Sequence, residues 1–246
     1  MSVAGILVVD KPGGMTSHDV VARVRRVLGV KKVGHTGTLD PMATGLLPLC
    51  IGGATKIARF LEGGAKEYRA TIKFGVETDS YDAEGKVVAE SDTSGVREET
   101  VIEALEQFRG KIQQIPPMYS AVKIGGTPLY KLARKGITVE REPKEVEITA
   151  IEVEEFAMPL LTMRIACSRG TYIRTLCHDL GRAVGCGAHL VALRRTRSGH
   201  FSLDDAIALD TDKSRMIESI VPPEGVITKF QDESVTTIMK RVLKMA

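Results

Sequence analysis

Asp40 has the surroundings in this sequence that most favour a chemical role. It is the only acid in GHTGTLDPMATGLLPLCIGG, residues 34–53, where His35 and Lys56 are the nearest ionisable groups. Pro41 disfavours α geometry at the residue before it, so we expect Asp40 on an extended or turning backbone. A carboxylate isolated in this way is a candidate for catalysis.

Three glycines around Asp40 widen the range of structures that this segment can adopt. Gly34, Gly37 and Gly45 permit tight bends and the close approach of a ligand. The ordinary alternative for an Asp-Pro pair is an Asx-type turn, in which the side chain only caps its own loop. The segment by itself leaves both interpretations open.

Charge is unevenly distributed along the chain, although the net charge is only +3. Arg164–Arg197 contains seven arginines, no lysine and a single acid, Asp179, whereas Glu140–Glu155 holds seven glutamates against Arg141 and Lys144. Arginine suits bidentate contact with phosphates and stacking on bases, whereas an ordinary solvated face would contain lysine as well. The pattern favours nucleic-acid binding.

The four cysteines, Cys50, Cys167, Cys177 and Cys186, are too few and too irregularly spaced for a disulfide framework. Cys177, His178, Cys186 and His189 form a possible metal cluster, but their spacing matches no usual zinc site. We therefore expect packing cysteines, no metal and a reducing, cytoplasmic environment.

Length and composition fit one catalytic body with an appendage. The chain has 246 residues, of which 43% are hydrophobic and 26% are charged. No apolar run approaches the roughly 18 residues that span a bilayer. The N-terminus has no basic start before its short apolar stretch, so it reads as a first strand and not as a signal peptide. We expect no membrane association.

Hydrophobic periodicity predicts strands and helices without a regular βαβ rhythm. Predicted strands are 4–10, 67–76, 86–89, 146–153 with a bulge, and 161–167; predicted helices are one capped by Thr16 or Ser17 and ending at Gly29, one over 98–109, one capped by Thr171 and ending at Gly185, and a short closing helix in FSLDDAIALD, 201–210. The pattern indicates an α+β fold with a mixed, largely antiparallel sheet and helices packed around it.

Six separated motifs carry a resemblance to a known family. They are VDKPGGMTSHDVV at 9–21, GHTGTLDPMATGLLPLCIGGATK at 34–56, KEYRATIKFG at 66–75, PPMYSAVKIGGTPLYKLARKG at 116–136, CSRGTYIRTLCHDLG at 167–181 and GCGAHLVALRRTRSG at 185–199. In this order they resemble the bacterial tRNA pseudouridine-55 synthase (TruB) family, over most of the chain to about residue 208.

The resemblance implies isomerisation of one uridine in the T-loop of tRNA, with the pseudouridine synthase fold. The N-glycosidic bond breaks and the uracil reattaches through carbon 5, without net redox change or hydrolysis. It therefore implies no nicotinamide, ATP, obligatory metal or other cofactor, which agrees with the absence of a Rossmann fingerprint or P-loop from the sequence. The implied partner is the T-arm of tRNA, bound by a monomer without an obligatory protein partner.

Site residues follow from position-by-position match to the family. Asp40 would be the essential catalytic residue, acting ionised on the sugar or the base. Arg174 would pair with it, because an opposite charge keeps a buried carboxylate deprotonated; its alternatives are a phosphate contact or a surface salt bridge. Tyr68 would stack on the uracil and act as a possible acid or base, although its strand position also fits the core.

The remaining matches concern substrate binding. The target uridine must leave its stack to react, and His35 would fill the vacated space, with a turn or core role as its alternative. Leu193 would form the pocket wall, Tyr172 would support the pocket, and Asp82 lies in a stretch that the family uses near its RNA-binding surface. Lys11, Arg194, Arg195 and Arg197 would hold phosphates.

The C-terminus departs from the family pattern. We expect a catalytic domain over 1–208 and a tail over 209–246 that is too short for the complete RNA-binding (PUA-like) domain of most members. Two alternative functions stay open: an RNA-binding tRNA-folding chaperone, and the catalytic subunit of a guide-RNA-dependent pseudouridylation complex, against which the chain length counts.

Overall fold

The computed structural model describes residues 3–228, 230 and 233–243. The strands are β1 Gly5–Lys11, β2 Val33–His35, β3 Thr44–Ile51, β4 Lys66–Phe74, β5 Val76–Thr78, β6 Val87–Glu90, β7 Gly110–Gln114, β8 Lys123–Ile124, β9 Thr127–Pro128, β10 Lys144–Ala157, β11 Leu160–Cys167, β12 Ala188–Ser198, β13 Phe201–Ser202 and β14 Ile207–Ala208. The α-helices are α1 Ser17–Leu28, α2 Ala58–Glu62, α3 Glu98–Glu106, α4 Leu129–Ala133, α5 Ile173–Val184, α6 Lys213–Glu218, α7 Pro223–Ile227 and α8 Glu233–Leu243, and 3-10 helices cover Gly52–Ile57 and Leu203–Asp205.

The chain divides into two compact units. Unit 1 comprises Met1–Glu67 and Arg194–Ala246, and unit 2 comprises Tyr68–Leu193. Both the first and the last parts of the sequence therefore build unit 1. The predicted division at residue 208 stays a prediction.

The sheet of unit 1 is mixed. β1 pairs antiparallel with β3 over its whole length, from Gly5 opposite Ile51 to Lys11 opposite Gly45, and parallel with β14. β2 pairs antiparallel with β3, and the end of β12 pairs parallel with the start of β3. β1 and β3 are almost continuously buried, which explains why they read as unbroken apolar runs rather than alternating ones.

Gly45 is required where β3 meets β12. Its φ is +98°, and a Cβ there would lie 2.3 Å from the carbonyl oxygen of Arg195. We expected this glycine to let a ligand approach, but it instead allows two backbones to pack closely. Any side chain at this position would push the two strands apart.

The core of unit 1 joins residues that are far apart in sequence. It contains Ile6, Val8, Leu46, Cys50, Ala54, Ile57, Leu61, Phe201, Val226, Ile227 and Met239, all buried. Since Val226 and Ile227 lie in α7 and Met239 in α8, the helices of the C-terminal tail contribute directly to this core. The predicted closing helix at 201–210 is wrong, because this segment forms β13, one 3-10 turn and β14.

Unit 2 contains the strands β4, β11, β10 and β7 in that spatial order, with β10 antiparallel to both of its neighbours. The register of β10 shifts between Ile148 and Ala150 and again between Val153 and Glu155, so the predicted bulge is confirmed. β4 shows the predicted alternation, since Tyr68, Ala70, Ile72 and Phe74 are buried. The predicted α+β class with a largely antiparallel sheet is confirmed.

α5 is the longest helix of unit 2. Its predicted apolar residues Ile173, Leu176, Cys177 and Leu180 are buried, and so are Arg174 and His178 between them. The helix ends at Gly185, whose φ of +92° is the left-handed conformation that favours glycine. The predicted cap at its start is wrong: Thr171 donates from Oγ1 to the Ser168 carbonyl, and Tyr172 occupies the N-cap position. Across the described residues, no helix is both long and apolar enough to cross a membrane.

Candidate active site

Asp40 is half-buried in the loop that joins β2 to β3, within unit 1. Its carbonyl oxygen accepts a hydrogen bond from the Ala43 amide at 3.1 Å, which closes a turn over Asp40–Ala43. The prediction that Asp40 lies on a turning backbone outside any helix is confirmed.

The residue before Asp40 is fixed by the start of α1. Ser17 accepts a hydrogen bond from the Leu39 amide at 2.9 Å and donates its hydroxyl proton to the Leu39 carbonyl at 3.2 Å. Ser17 is 2% exposed and Leu39 is 3% exposed, so both hydrogen bonds are shielded from water. A single hydroxyl therefore satisfies both backbone groups next to Asp40.

The residue after Asp40 is fixed by the KPGG turn that follows β1. The Pro41 carbonyl accepts a hydrogen bond from the Gly14 amide at 2.9 Å and another from Lys11 Nζ at 3.1 Å. The Lys11 ammonium also donates to the carbonyls of Pro12 and Met15. The 11–17 segment thus holds the backbone on both sides of Asp40.

Two of the predicted phosphate contacts do not fit their surroundings. Lys11 is fully buried and donates to three carbonyls, while Arg195 is 1% exposed and donates from Nε to the Leu46 carbonyl at 2.7 Å. Arg195 also donates to the Gly37 carbonyl at 3.2 Å. Because their charged groups are enclosed by backbone oxygens, we correct both residues from phosphate contacts to supports of the Asp40 loop.

Arg194 is the better candidate for contact with an anion. Its side chain is 40% exposed and forms a two-pronged ion pair with Asp10, at 3.1 and 2.6 Å. Arg23, Thr44 and Arg194 line an open pocket of about 430 Å³. Arg197 is exposed at the end of the same strand. Successive residues of a strand face opposite sides, which separates Arg194 from its buried neighbour Arg195.

His35 lies at the end of β2, half-buried. Its ring centroid is 5.3 Å from that of His18, and its Nδ1 accepts a hydrogen bond from the Gly37 amide at 3.4 Å. Burial lowers the pKa of His35 below its ordinary value, and the charges of His18 and Arg195 lower it further. At neutral pH the ring is therefore neutral.

In unit 2, Arg174 and Asp82 form a buried ion pair. Their side chains are each 5% exposed, and Nη1 of Arg174 lies 3.5 Å from Oδ2 of Asp82. Arg174 also donates to the carbonyls of Ser80 at 3.1 Å and Tyr119 at 2.8 Å. A buried guanidinium is costly without such partners, so this network fixes the position of Arg174.

Asp82 is therefore a buried partner of Arg174, and its predicted place near an RNA-binding surface stays a prediction. Its Oδ1 accepts hydrogen bonds from Ser80 Oγ at 2.6 Å and from the Glu84 amide at 3.1 Å. Asp82 is 4% exposed. The predicted pair of Arg174 with Asp40 concerns residues of different units and stays a prediction.

The side chain of Gln114 fixes Tyr172 at the start of α5. Gln114 accepts a hydrogen bond from the Tyr172 amide at 2.9 Å and donates to its carbonyl at 3.3 Å. Gln114 is 1% exposed. Tyr68 and Leu193, the other two residues predicted for the pocket, are 8% and 7% exposed in β4 and β12.

The prediction that the cysteines pack in the protein interior is confirmed. All four cysteines are free and buried. Burial raises the pKa of Cys50 to about 12 and also raises the pKa of Cys177. Within 3–228, 230 and 233–243, no group of three or more His, Cys, Asp or Glu residues is arranged to hold a metal ion.

Several residues that hold the candidate site residues by hydrogen bonds were not predicted from the sequence. Ser17 is visible in the sequence only as a possible helix cap, a position that Thr16 in fact occupies. Gln114 and Ser80 carry no sequence signal, since each acts through a hydrogen bond to a residue brought near by folding. Their roles depend on tertiary contacts alone.

Solved structures share this fold. A chain in a structure described as "Crystal Structure of a Cbf5-Nop10-Gar1 Complex" is 32% identical with a TM-score of 0.71, covering 91% of this chain and 61% of that one. A chain in "Structure of H/ACA RNP bound to a substrate RNA containing 2'-deoxyuridine" is also 32% identical, with a TM-score of 0.62, covering 83% of this chain and 51% of that one. This chain thus spans only about half to three fifths of those proteins.

Curated relatives extend the likeness along most of the sequence. "tRNA pseudouridine synthase B" of Symbiobacterium thermophilum is 55% identical over 231 residues, which are 92% of this chain and 76% of the relative. The protein of the same name from Clostridium tetani is 48% identical over 98% of this chain and 83% of the relative.

The fold and these relatives define the class of the protein as a pseudouridine synthase, an isomerase. Residues 25–173 match the model for "TruB family pseudouridylate synthase (N terminal domain)", and residues 174–217 match "tRNA pseudouridylate synthase B C-terminal domain". The chain belongs to the TruB family of pseudouridylate synthases.

Proposed function

We propose that this enzyme converts the T-loop uridine at position 55 of tRNA to pseudouridine. The relatives named tRNA pseudouridine synthase B support tRNA as the substrate. In the reaction the bond between N1 of uracil and the sugar breaks and a bond from carbon 5 forms. The proton on carbon 5 is lost and N1 gains one, so atoms and electrons balance without a cofactor.

Asp40 is the proposed essential residue. The observation that carries this assignment is that hydrogen bonds hold the residues on both sides of Asp40. Ser17 bonds to the backbone of Leu39, and Lys11 and Gly14 donate to the Pro41 carbonyl. A catalytic carboxylate must be held near its productive geometry, and supporting hydrogen bonds supply that precision. An ordinary turn aspartate needs no buried lysine to hold its loop.

The target uridine is proposed to react after leaving its stack, because a stacked base hides the bond to be broken. His35, neutral and half-buried, is the proposed occupant of the vacated space. Tyr68 is proposed to stack on the extruded uracil, Leu193 to exclude water from it, and Tyr172 to support the pocket.

Arg174 is proposed to keep Asp40 ionised. Asp82 already lies beside Arg174, so the guanidinium would serve two carboxylates, and its carbonyl contacts would orient it. Arg194 is proposed to contact a tRNA phosphate, a contribution to affinity that is independent of base sequence.

Two experiments test the function together. Product mapping on a tRNA transcript should find pseudouridine at position 55, and modification at another uridine would refute the substrate assignment. Tritium release from tRNA that carries 5-tritiated uridine should fall to background with Asp40→Asn, and it should be unchanged by a chelator. Asp19→Asn is the matched control, because Asp19 is an exposed carboxylate of the same unit that accepts hydrogen bonds from Thr16.

The same variant distinguishes catalysis from a chaperone role. Asp40→Asn that still binds and refolds tRNA but releases no tritium would show that binding and chemistry are separable. Full tritium release by this variant would refute the catalytic assignment. Release that required an added guide RNA would favour the guide-dependent alternative.

A further inference from the structure

Tyr81 has an unusual backbone conformation next to the Arg174 network. Its φ is +66°, and among the described residues it is the only non-glycine residue with a positive φ. A bulky side chain rarely adopts this left-handed conformation, which persists only where surrounding structure enforces it. The strained residue lies between Ser80 and Asp82, both of which contact Arg174.

Strand β12 holds the backbone on both sides of this strained position. The Tyr81 carbonyl accepts a hydrogen bond from the Leu190 amide at 3.0 Å, and the Ala83 amide donates to the Leu190 carbonyl at 2.9 Å. In an extended strand, the Ser80 carbonyl and the Asp82 side chain would be spaced along the strand. The left-handed turn at Tyr81 instead brings the Ser80 carbonyl and the Asp82 carboxylate to one guanidinium.

The Tyr81 side chain stacks on His178. The ring centroids are 3.9 Å apart and the planes are 12° from parallel. His178 is four residues after Arg174 in α5, so the two side chains lie on the same face of the helix. The 80–82 segment therefore contacts this face twice, through polar groups at Arg174 and through an aromatic ring at His178.

The His178 ring is buried within unit 2. The residue is 8% exposed, and its Nδ1 lies 3.4 Å from Oε2 of Glu77. Gly187 packs against Glu77 so closely that a Cβ there would lie 2.5 Å from the Glu77 side chain. The stacking surface beneath Tyr81 is thus part of a packed structure and not a loose surface side chain.

We propose that the stacked Tyr81–His178 pair is a positioning device for catalysis, which holds the 80–82 turn so that Ser80 and Asp82 orient Arg174. This inference rests on the proposed function of Arg174. Neither ring contacts the uridine in this proposal. Their effect reaches the reaction through the guanidinium, so losing the stack lowers the rate of the chemical step and leaves tRNA binding intact.

The test compares variants in single-turnover tritium release and in tRNA binding. Tyr81→Asn removes the ring but tolerates the left-handed backbone, and Tyr81→Phe keeps the ring. His178→Ala removes the other half of the stack. Phe108→Ala is the control, because it removes a half-buried aromatic ring of unit 2 outside this network. Thermal midpoints are recorded for every variant.

We expect Tyr81→Asn and His178→Ala each to lower the single-turnover rate constant roughly 10-fold, as for a misplaced catalytic group, with tRNA affinity within about twofold. The double variant should be little worse than either single variant, because both remove one interaction. Tyr81→Phe should retain the wild-type rate. Phe108→Ala should lower the thermal midpoint without lowering the rate.

Wild-type rates in both stack variants would overturn the proposal, as would a rate loss that Phe108→Ala reproduces at an equal loss of thermal stability. Measurements on Arg174→Lys and on the wild type separate the positioning proposal from the substrate assignment. A wild-type enzyme that modifies another uridine refutes the substrate assignment alone, and the stack is then tested on that uridine. Full activity of Arg174→Lys overturns the positioning proposal along with the role of Arg174.

Discussion

Ser17→Ala tests whether the start of α1 positions Asp40, the proposed catalytic residue. The substitution removes one hydroxyl and leaves the amide and carbonyl of Leu39 without the partner that each has now. Both residues are buried, so bulk water cannot replace these bonds. The nearest consequence is a shift of the backbone that carries Asp40.

The magnitude follows from the two lost hydrogen bonds. Each buried backbone group left unsatisfied costs about 1–3 kcal/mol, so the free energy of unfolding should fall by about 3 kcal/mol in total. For a chain of this size that corresponds to a decrease of roughly 9 °C in the thermal midpoint. A displacement of Asp40 by a fraction of an ångström should lower the single-turnover rate constant roughly 10-fold.

Thr16→Ala is the matched control, one residue earlier on the same helix. Thr16 caps α1 by accepting from the Asp19 amide at 3.1 Å and donating to Asp19 Oδ2 at 2.6 Å. Its loss should cost about 1 kcal/mol without changing the rate. Differential scanning calorimetry and single-turnover tritium release measure both effects. A wild-type rate in Ser17→Ala would refute the positioning of Asp40 by Ser17, as would an equal rate loss in Thr16→Ala.

Three further predictions concern titration, thiol reactivity and RNA binding. Burial lowers the pKa of His178 from its ordinary 6.5. The unfolded chain therefore binds the proton first, and the free energy of unfolding falls as pH decreases through and below 6.5. In urea titrations at several pH values, His178→Phe should reduce this fall, and an unchanged dependence of stability on pH would contradict the lowered pKa. Because the Cys50 thiol is buried with a pKa of about 12, iodoacetamide should label it far more slowly in native than in unfolded protein, as mass spectrometry would show; equal rates would contradict its burial. Arg194→Ala should reduce the slope of log affinity against log salt by about 1, whereas Arg195→Ala should leave that slope unchanged and lower the thermal midpoint; the reverse pattern would place Arg195 and not Arg194 on the RNA.

Periodic segments were predictable from the sequence because their cause is local. The alternation of Tyr68, Ala70, Ile72 and Phe74 predicts a buried face opposite a more accessible one, and β4 has both. The cap at Thr16 and the left-handed end of α1 at Gly29 likewise depend on side chains within a few residues. Such features need no knowledge of the rest of the molecule.

Local signals failed where tertiary pairing competes with them. The segment 201–210 has the spacing of a helix, but its ends pair with β12 and β1, and the strand hydrogen bonds outweigh the helical pattern. Thr171 is an ordinary cap residue by type, but its hydroxyl bonds to Ser168 instead. In both cases the winning interaction involves a neighbour that sequence order does not specify.

The sequence by itself determined the family, the isolated carboxylate at Asp40 and the arginine-rich character of 164–197, because these depend on residue identity and order. Only the tertiary structure decided which charges are available. Lys11 and Arg195 are buried against carbonyls, Asp82 is buried beside Arg174, and Arg194 is partly exposed in its ion pair with Asp10. Burial depends on contacts between distant segments, so two neighbouring arginines differ widely in exposure.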